Sequence, residues 1–184
     1  MITIAEARVS SAALPSAFFA RWADMATWPE WNTDTEWARL DGPFAAGSTG
    51  VLKPRGGPKV RFVVAALVAD REFTDVSMLA GARLTFRHLI EPVPGGGSTV
   101  RVTVTLAGPL SWFWNLVLGK GLKASLQPDL DGLAAAAEAA GTIEAAGSIE
   151  AAGSIEAAGP GEAPGTIEAV GTIEAAGTGA GGPA

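Results

Sequence analysis

The sequence has 184 residues, no cysteine, and a formal net charge of −6. Without cysteine it can form neither a disulfide framework nor a thiolate metal site, and this composition suits a reducing cytoplasm, where we expect the protein to reside. Residues 1–140 carry thirteen basic and thirteen acidic side chains, so this part has no basic field to attract nucleic acid. No apolar run approaches the roughly 20 residues of a membrane-spanning helix.

The chain opens with a predicted strand followed by a short helix. Ile2–Val9 has the apolar content of a first strand, and Leu14–Asp24 predicts a helix with a proline in its first turn. The next stretch, TWPEWN, holds Trp28 and Trp31 on either side of Pro29. Proline ends helical continuation at or before the preceding residue. The two tryptophans are therefore expected in a turn or between two short helices.

Alternating apolar and polar residues dominate the middle of the chain and predict antiparallel strands. The predicted strands are Glu36–Leu40, Thr49–Lys53, Lys59–Val68, Phe73–Met78, Arg83–Ile90 and Thr99–Leu106. In the third of these, period-two alternation places Val60, Phe62, Val64, Ala66 and Val68 on one face. The other strands carry Arg and Thr opposite their apolar face, which predicts a sheet that is covered on one side and solvated on the other.

An amphipathic helix is predicted after Gly108. From Leu122 onward, apolar residues recur at spacings of four, four, three and four, which is the period of a helix that packs on one face. Pro128 and nearby glycines predict a bend or break near its middle. With one strand, short helices, a run of strands and a long C-terminal helix, the chain belongs to the α+β class.

The last part of the chain, residues 141–184, repeats six-residue units such as GTIEAA and GSIEAA. Six residues on a helix turn about 600°, so no apolar face forms, and the repeats are too few for a β-helix of several coils. Gly and Ala bury too little area to offset chain entropy. We therefore predict a disordered, solubilising tail after a folded domain at 1–140. Each repeat contributes one acid: Glu144, Glu150, Glu156, Glu162, Glu168 and Glu174.

Several stretches of residues 1–140 resemble the START-like superfamily called SRPBCC, and within it the polyketide cyclase/dehydrase and lipid-transfer group. The stretches that carry the likeness are Trp28–Trp31 (WPEW), Gly42–Gly50 (GPFAAGSTG), Ala82–Leu110 and Leu118–Leu122 (LGKGL). The resemblance implies the helix-grip fold, in which a curved antiparallel sheet wraps around a long C-terminal helix and encloses an apolar cavity. It also implies that the tryptophan turn lies near the cavity mouth.

A cavity of this kind predicts binding of a hydrophobic or amphipathic small molecule, such as a lipid or a polyketide-like compound. The candidate ligand-binding residues are Trp28, Trp31, Phe62, Val64, Phe73, Met78, Leu84, Phe86, His88, Val104, Leu106, Phe113 and Val117. His88 is the sole histidine and falls on an apolar strand face. It is either a polar contact for the ligand, an acid–base group, or a core histidine bonded to the backbone.

Two alternatives to simple binding stay open. One is a polyketide cyclase or dehydratase that uses His88, although no second catalytic group is evident and Asp75 and Glu30 are expected at the surface. The other is an interaction module in which Trp112, Phe113 and Trp114 meet a partner, since three consecutive aromatic side chains cannot all face the sheet. One histidine without clustered carboxylates indicates no metal site, and no cofactor is expected.

Overall fold

The computed structural model describes the backbone of residues 1–156 and the side chains of residues 1–142. Within these residues, seven strands and three α-helices follow one another. They are β1 (Ile2–Ser11), α1 (Pro15–Ala23), α2 (Trp28–Trp31), β2 (Thr35–Leu40), β3 (Thr49–Pro54), β4 (Val60–Val68), β5 (Glu72–Leu79), β6 (Ala82–Pro92), β7 (Ser98–Ala107) and α3 (Ser111–Glu156). A 3₁₀ turn at Met25–Thr27 joins α1 to α2.

All seven strands form one antiparallel sheet in the order β1-β7-β6-β5-β4-β3-β2. β2 to β7 are sequential neighbours, and β1 pairs with β7 at the far edge. The inner face is mostly apolar, whereas the outer face carries ion pairs such as Arg87 with Glu72 at 2.9 Å. The predicted α+β class and helix-grip fold are confirmed: this curled sheet holds the long C-terminal helix against its dry side.

β4 departs from strict alternation. A β-bulge between Val64 and Ala66 shifts the pairing with β5. Beyond the bulge, Leu67 is the residue whose side chain faces inward, and it pairs with Phe73. Val68 is consequently half exposed, and the prediction that it shares the face of Phe62 is wrong. A bulge inserts one residue and reverses the side-chain parity beyond it.

The helices before β2 form a cap on one end of the sheet. Phe18 and Trp22 of α1 are fully buried. Pro29 does not terminate the helical segment, because it lies in the first turn of α2, where a missing N–H costs no intrahelical hydrogen bond. Trp28 and Trp31 therefore begin and end a one-turn helix rather than occupying an irregular turn.

The C-terminal helix crosses the inner face of the sheet. Leu130, Leu133 and Ala137 are buried there, and α3 passes through Pro128 without a break. Of the predicted bend or break, the break is therefore wrong and the bend stays a prediction. The side chain of Pro128 is exposed, and burial of the flanking turns holds the helix together despite one lost hydrogen bond.

Where the backbone of the repeat is described, residues 141–156 continue α3 as helix. The rest of the predicted tail, residues 157–184, lies outside the described residues. The domain boundary at residue 140 and the disorder of the tail stay predictions. No helix in the described part of the chain is long and apolar enough to cross a bilayer.

Candidate functional site

A cavity of about 250 Å³ lies between the inner face of the sheet, the α1–α2 cap and α3. Most of the side chains around it are apolar, and it exceeds by far the volume that one water molecule needs. The strands supply its floor and α3 its roof. The interior of the domain is therefore hollow at this point rather than close-packed.

Seven of the thirteen candidate ligand-binding residues border this cavity. They are Trp28, Trp31, Phe62, Phe73, Leu84, Phe86 and His88. Gly50 of β3 leaves room for the ring of Phe62, because a Cβ atom at position 50 would overlap that ring. The two tryptophans of the WPEW stretch thus border a void; their contact with a ligand stays a prediction.

The other six candidates do not border the cavity. Val64, Val104 and Leu106 are fully buried in packed parts of the core, whereas Met78, Phe113 and Val117 are exposed. For Met78 the reason is parity: it lies five residues after Phe73 on β5, and an odd separation places it on the opposite face. Phe113 and Val117 lie on the outer side of α3.

Sequence reasoning omitted many of the residues that border the cavity. The omitted residues are Trp22, Asn32, Asp34, Thr35, Leu52, Pro54, Val60, Asp75, Ser77, Leu79, Val102, Leu118, Leu122, Ser125, Leu126, Asp129, Leu130 and Leu133. Two signals could have found seven of them. Counting in twos from Phe73 gives Asp75, Ser77 and Leu79, and the helical stripe gives Leu122, Leu126, Leu130 and Leu133.

Aromatic rings form one end wall of the cavity. Trp28 contacts Trp31 at a ring-centroid distance of 5.7 Å and Phe73 at 6.2 Å. Its indole N–H donates to the carbonyl oxygen of Trp22 at 3.2 Å. The indole N–H groups of Trp22 and Trp31 are buried and have no hydrogen-bond acceptor among the described residues. Buried donors of this kind usually find a partner, so this wall retains two N–H groups that can each donate a hydrogen bond.

Asp75 is the main correction to the sequence analysis, which places it at the surface. The structure turns its carboxyl group into the cavity, next to Ser77 on the inner face of β5. Burial raises the pKa of Asp75 to about 7, because a low-dielectric surrounding disfavours the charged carboxylate. A single acid on the inward face of this strand therefore marks a polar group in the cavity wall.

His88 lies on the neighbouring strand, opposite Phe73, and its ring stacks on that of Phe73 at 5.1 Å. Its Nδ1 is 3.1 Å from the carbonyl oxygen of Phe73. A carbonyl can only accept, so Nδ1 carries the proton, and Nε2 of the neutral ring is an acceptor. Burial lowers the pKa of His88 to about 4, against the opposing effect of that hydrogen bond.

Asp75 and His88 are diagonal neighbours on the same face of β5 and β6, because Asp75 pairs with Phe86 and His88 with Phe73. Such diagonal positions are about 7–8 Å apart, which leaves room for a ligand atom to contact both. Near neutral pH the pair offers a carboxyl group that is partly protonated and an imidazole that accepts. It can orient a hydroxyl or carbonyl group, or exchange a proton with one.

The side of the cavity beside the segment that follows α2 is polar and reaches solvent. Asp34 borders the cavity there and is exposed, whereas Trp22 and Phe73, which also border it, are fully buried. Asp129 of α3 accepts from the backbone N–H and hydroxyl of Thr33 at 3.0 and 3.1 Å. This contact ties α3 to the segment after α2, and burial raises the pKa of Asp129. Because Asp34 both borders the cavity and is exposed, the cavity opens to solvent beside that segment.

A family model described as "Polyketide cyclase / dehydrase and lipid transport" matches residues 1–138. The chain belongs to this family. The match covers the sheet, the cap and the part of α3 that lies over the cavity, and so includes every residue that borders the site. None of the curated proteins matches the chain significantly.

Solved structures share the fold at low sequence identity. The hypothetical protein jhp0584 of Helicobacter pylori has a TM-score of 0.59 at 12% identity, covering 71% of this chain and 85% of its own. TTHA0849 of Thermus thermophilus has 0.57 at 16%, covering 74% and 97%. A START superfamily protein of Mycobacterium smegmatis has 0.54 at 16%, covering 70% and 94%. At these identities the likeness concerns the fold alone.

Proposed function

We propose that this member of the polyketide cyclase/dehydrase and lipid transport family binds a small apolar or amphipathic molecule in its cavity, with a hydroxyl or carbonyl group directed toward Asp75 and His88. The observation that carries the proposal is the combination of an unfilled space of about 250 Å³ with only a few polar groups on its wall. Ligand pockets are typically apolar with a small number of such groups, which fix orientation.

Apolar burial supplies the affinity in this proposal, at about 25 cal/mol per Å² of apolar surface removed from water. The hydrogen bonds at Asp75 and His88 supply selectivity, because a ligand without a polar group leaves them unpaired. Binding pockets commonly measure about 300–1,000 Å³. The cavity falls just below that range, which favours a compact ligand over a long diacyl lipid.

The test is native mass spectrometry of the purified full chain, combined with titration of a fluorescent fatty-acid analogue. Leu122→Trp introduces a large ring into the cavity wall, whereas Leu116→Trp makes the same change on α3 at a residue that is 76% exposed. We expect Leu122→Trp to weaken probe binding about tenfold or more, because the added volume fills the void. Leu116→Trp should bind as the wild type does. Absence of probe binding to the wild type would refute the proposal.

Catalysis is a second candidate, and the position of Asp75 beside His88 favours it. The neutral imidazole can take a proton from a polyketide-like substrate while the protonated carboxyl group gives one, which is the division of roles in general acid–base catalysis. Asp75→Asn and His88→Gln keep the approximate shape of the site. If the protein is a cyclase or dehydratase, both variants should lose product formation by about 10²-fold or more while still binding the probe. Unchanged turnover in both variants would exclude this role.

A further inference from the structure

We propose that the outward face of the first turns of α3 docks onto a lipid bilayer that contains anionic headgroups. The docking face consists of Trp112, Phe113, Leu116, Val117, Lys120 and Lys123. It is separate from the cavity, and the proposal does not depend on what the cavity holds.

The apolar residues of the docking face are unusually exposed for their size. The exposed fractions are 63% for Trp112, 41% for Phe113, 76% for Leu116 and 53% for Val117. A monomeric soluble protein rarely leaves several large apolar side chains next to one another in water, and such patches commonly mark interaction sites.

Helical geometry gathers these residues on one side. At about 100° per residue, all six fall within an arc of roughly 140°. The four apolar residues occupy the first two turns, and the lysines follow in the next two. Leu118 and Leu122 fall outside the arc and border the cavity. One face of α3 therefore covers the cavity, and the docking face is exposed to solvent.

The exposure does not come from a frayed helix end. Trp114 directly follows Trp112 and Phe113 but lies on the opposite side of α3. Its indole N–H donates to the carbonyl oxygen of Ala80 at 2.8 Å. The backbone N–H of Leu110 donates to the carbonyl oxygen of Gly81 at 3.0 Å. Both bonds fasten the start of α3 to the β5–β6 turn, so Trp112 and Phe113 are presented by an anchored helix.

Charge decides between a bilayer and another occupant. The sequence has no acidic residue between Glu91 and Asp129, and Lys120 and Lys123 form no ion pair among the side chains that the structure describes. Tryptophan and phenylalanine beside lysine are the composition of helices that lie in the membrane interface, where the rings enter the headgroup region and lysine meets anionic lipid. A second copy of this face would instead bring four lysines together.

The experiment is co-sedimentation of the full chain with vesicles of phosphatidylcholine alone and of phosphatidylcholine with phosphatidylglycerol. We expect binding to the anionic vesicles, and weaker binding at high salt because the lysine contribution is screened. The variants Trp112→Ser with Leu116→Ser, and Lys120→Glu with Lys123→Glu, should each weaken partitioning about tenfold or more. Matched controls are Val68→Ser for the apolar pair and Arg61→Glu with Arg71→Glu for the charge reversal, since all three residues are exposed elsewhere.

Two results would overturn the proposal. One is no sedimentation of the wild type with either vesicle; if the docking-face variants then shift a monomer–dimer equilibrium in sedimentation velocity, the occupant is a second copy. The other is vesicle binding that the docking-face and control variants reduce equally, which would show general charge attraction. The fluorescent probe should bind all these variants as it binds the wild type, so failure of docking and failure of ligand binding give different results.

Discussion

Asp75 and His88 line the same cavity, yet burial shifts their pKa values in opposite directions. It raises the pKa of Asp75 to about 7 and lowers that of His88 to about 4. Both shifts favour the neutral form, because neither ion is well solvated there. The two groups therefore make opposite contributions to the pH dependence of stability over the same range.

The signs follow from proton binding. Between about pH 4 and 7 the folded protein holds the proton on Asp75 more tightly than the unfolded chain does, so this residue lowers the free energy of unfolding as pH rises. His88 does the reverse between about pH 4 and 6.5: the unfolded chain binds the proton more tightly, so stability falls as pH falls. In the wild type the two slopes partly cancel.

Asp75→Asn should reveal the histidine contribution. The variant should match the wild type near pH 4 and gain relative stability as pH rises to about 7, by up to about 4 kcal/mol, because one pKa unit corresponds to about 1.36 kcal/mol. Urea unfolding at pH 4, 5.5, 7 and 8 measures this difference. Asp70→Asn is the control: Asp70 is exposed in a turn at φ 57°, a conformation that Asn tolerates, so its effect should stay within about 0.5 kcal/mol at every pH. A pH-independent Asp75→Asn difference would contradict the burial of the carboxyl group.

The strands are the part of the fold that the sequence predicts best. Each of the six alternating segments appears as a strand within a few residues of its predicted bounds, because one face packs against a core and the other meets water. β4 is the exception, because not all of its side chains lie on the predicted face. Its run VVAALV is apolar at consecutive positions, so the sequence does not indicate where the bulge between Val64 and Ala66 lies.

The residues that border the cavity also divide into those that the sequence predicts and those that it does not. Residues whose position follows from strand parity, such as Phe62, Leu84 and Phe86, were predictable, and Asp75 would have been if parity had been given more weight than charge. Residues contributed by irregular segments were not predictable. Asn32 and Asp34 reach the cavity because the connection between α2 and β2 brings them there, and period analysis says nothing about connections.

The hollow in the domain results from the way its layers meet. The sheet curls, and the bulky rings of Trp22 and Trp28 lie between the α1–α2 cap and the strands, where both contact Phe73 of β5. α3 approaches closely where small residues allow it. At Gly132 the helix comes so near to α2 that a Cβ atom would lie 2.8 Å from the carbonyl oxygen of Trp31. The size of the cavity therefore depends on a close contact between backbones outside it.

Gly132→Ala should disturb this arrangement, and Gly121→Ala provides its control on the same helix. At Gly121 an added Cβ meets no atom within 4 Å, so alanine should stabilise the protein by about 0.5–1 kcal/mol through helix propensity alone. At Gly132 the same gain is outweighed by a contact with backbone, and overpacking of this kind typically costs about 1–3 kcal/mol. Urea unfolding should therefore give opposite signs for the two variants. Because the shift displaces Trp31 at the cavity wall, probe affinity should also fall in Gly132→Ala alone. Equal stability and equal probe binding in both variants would show that α2 is not held by this contact.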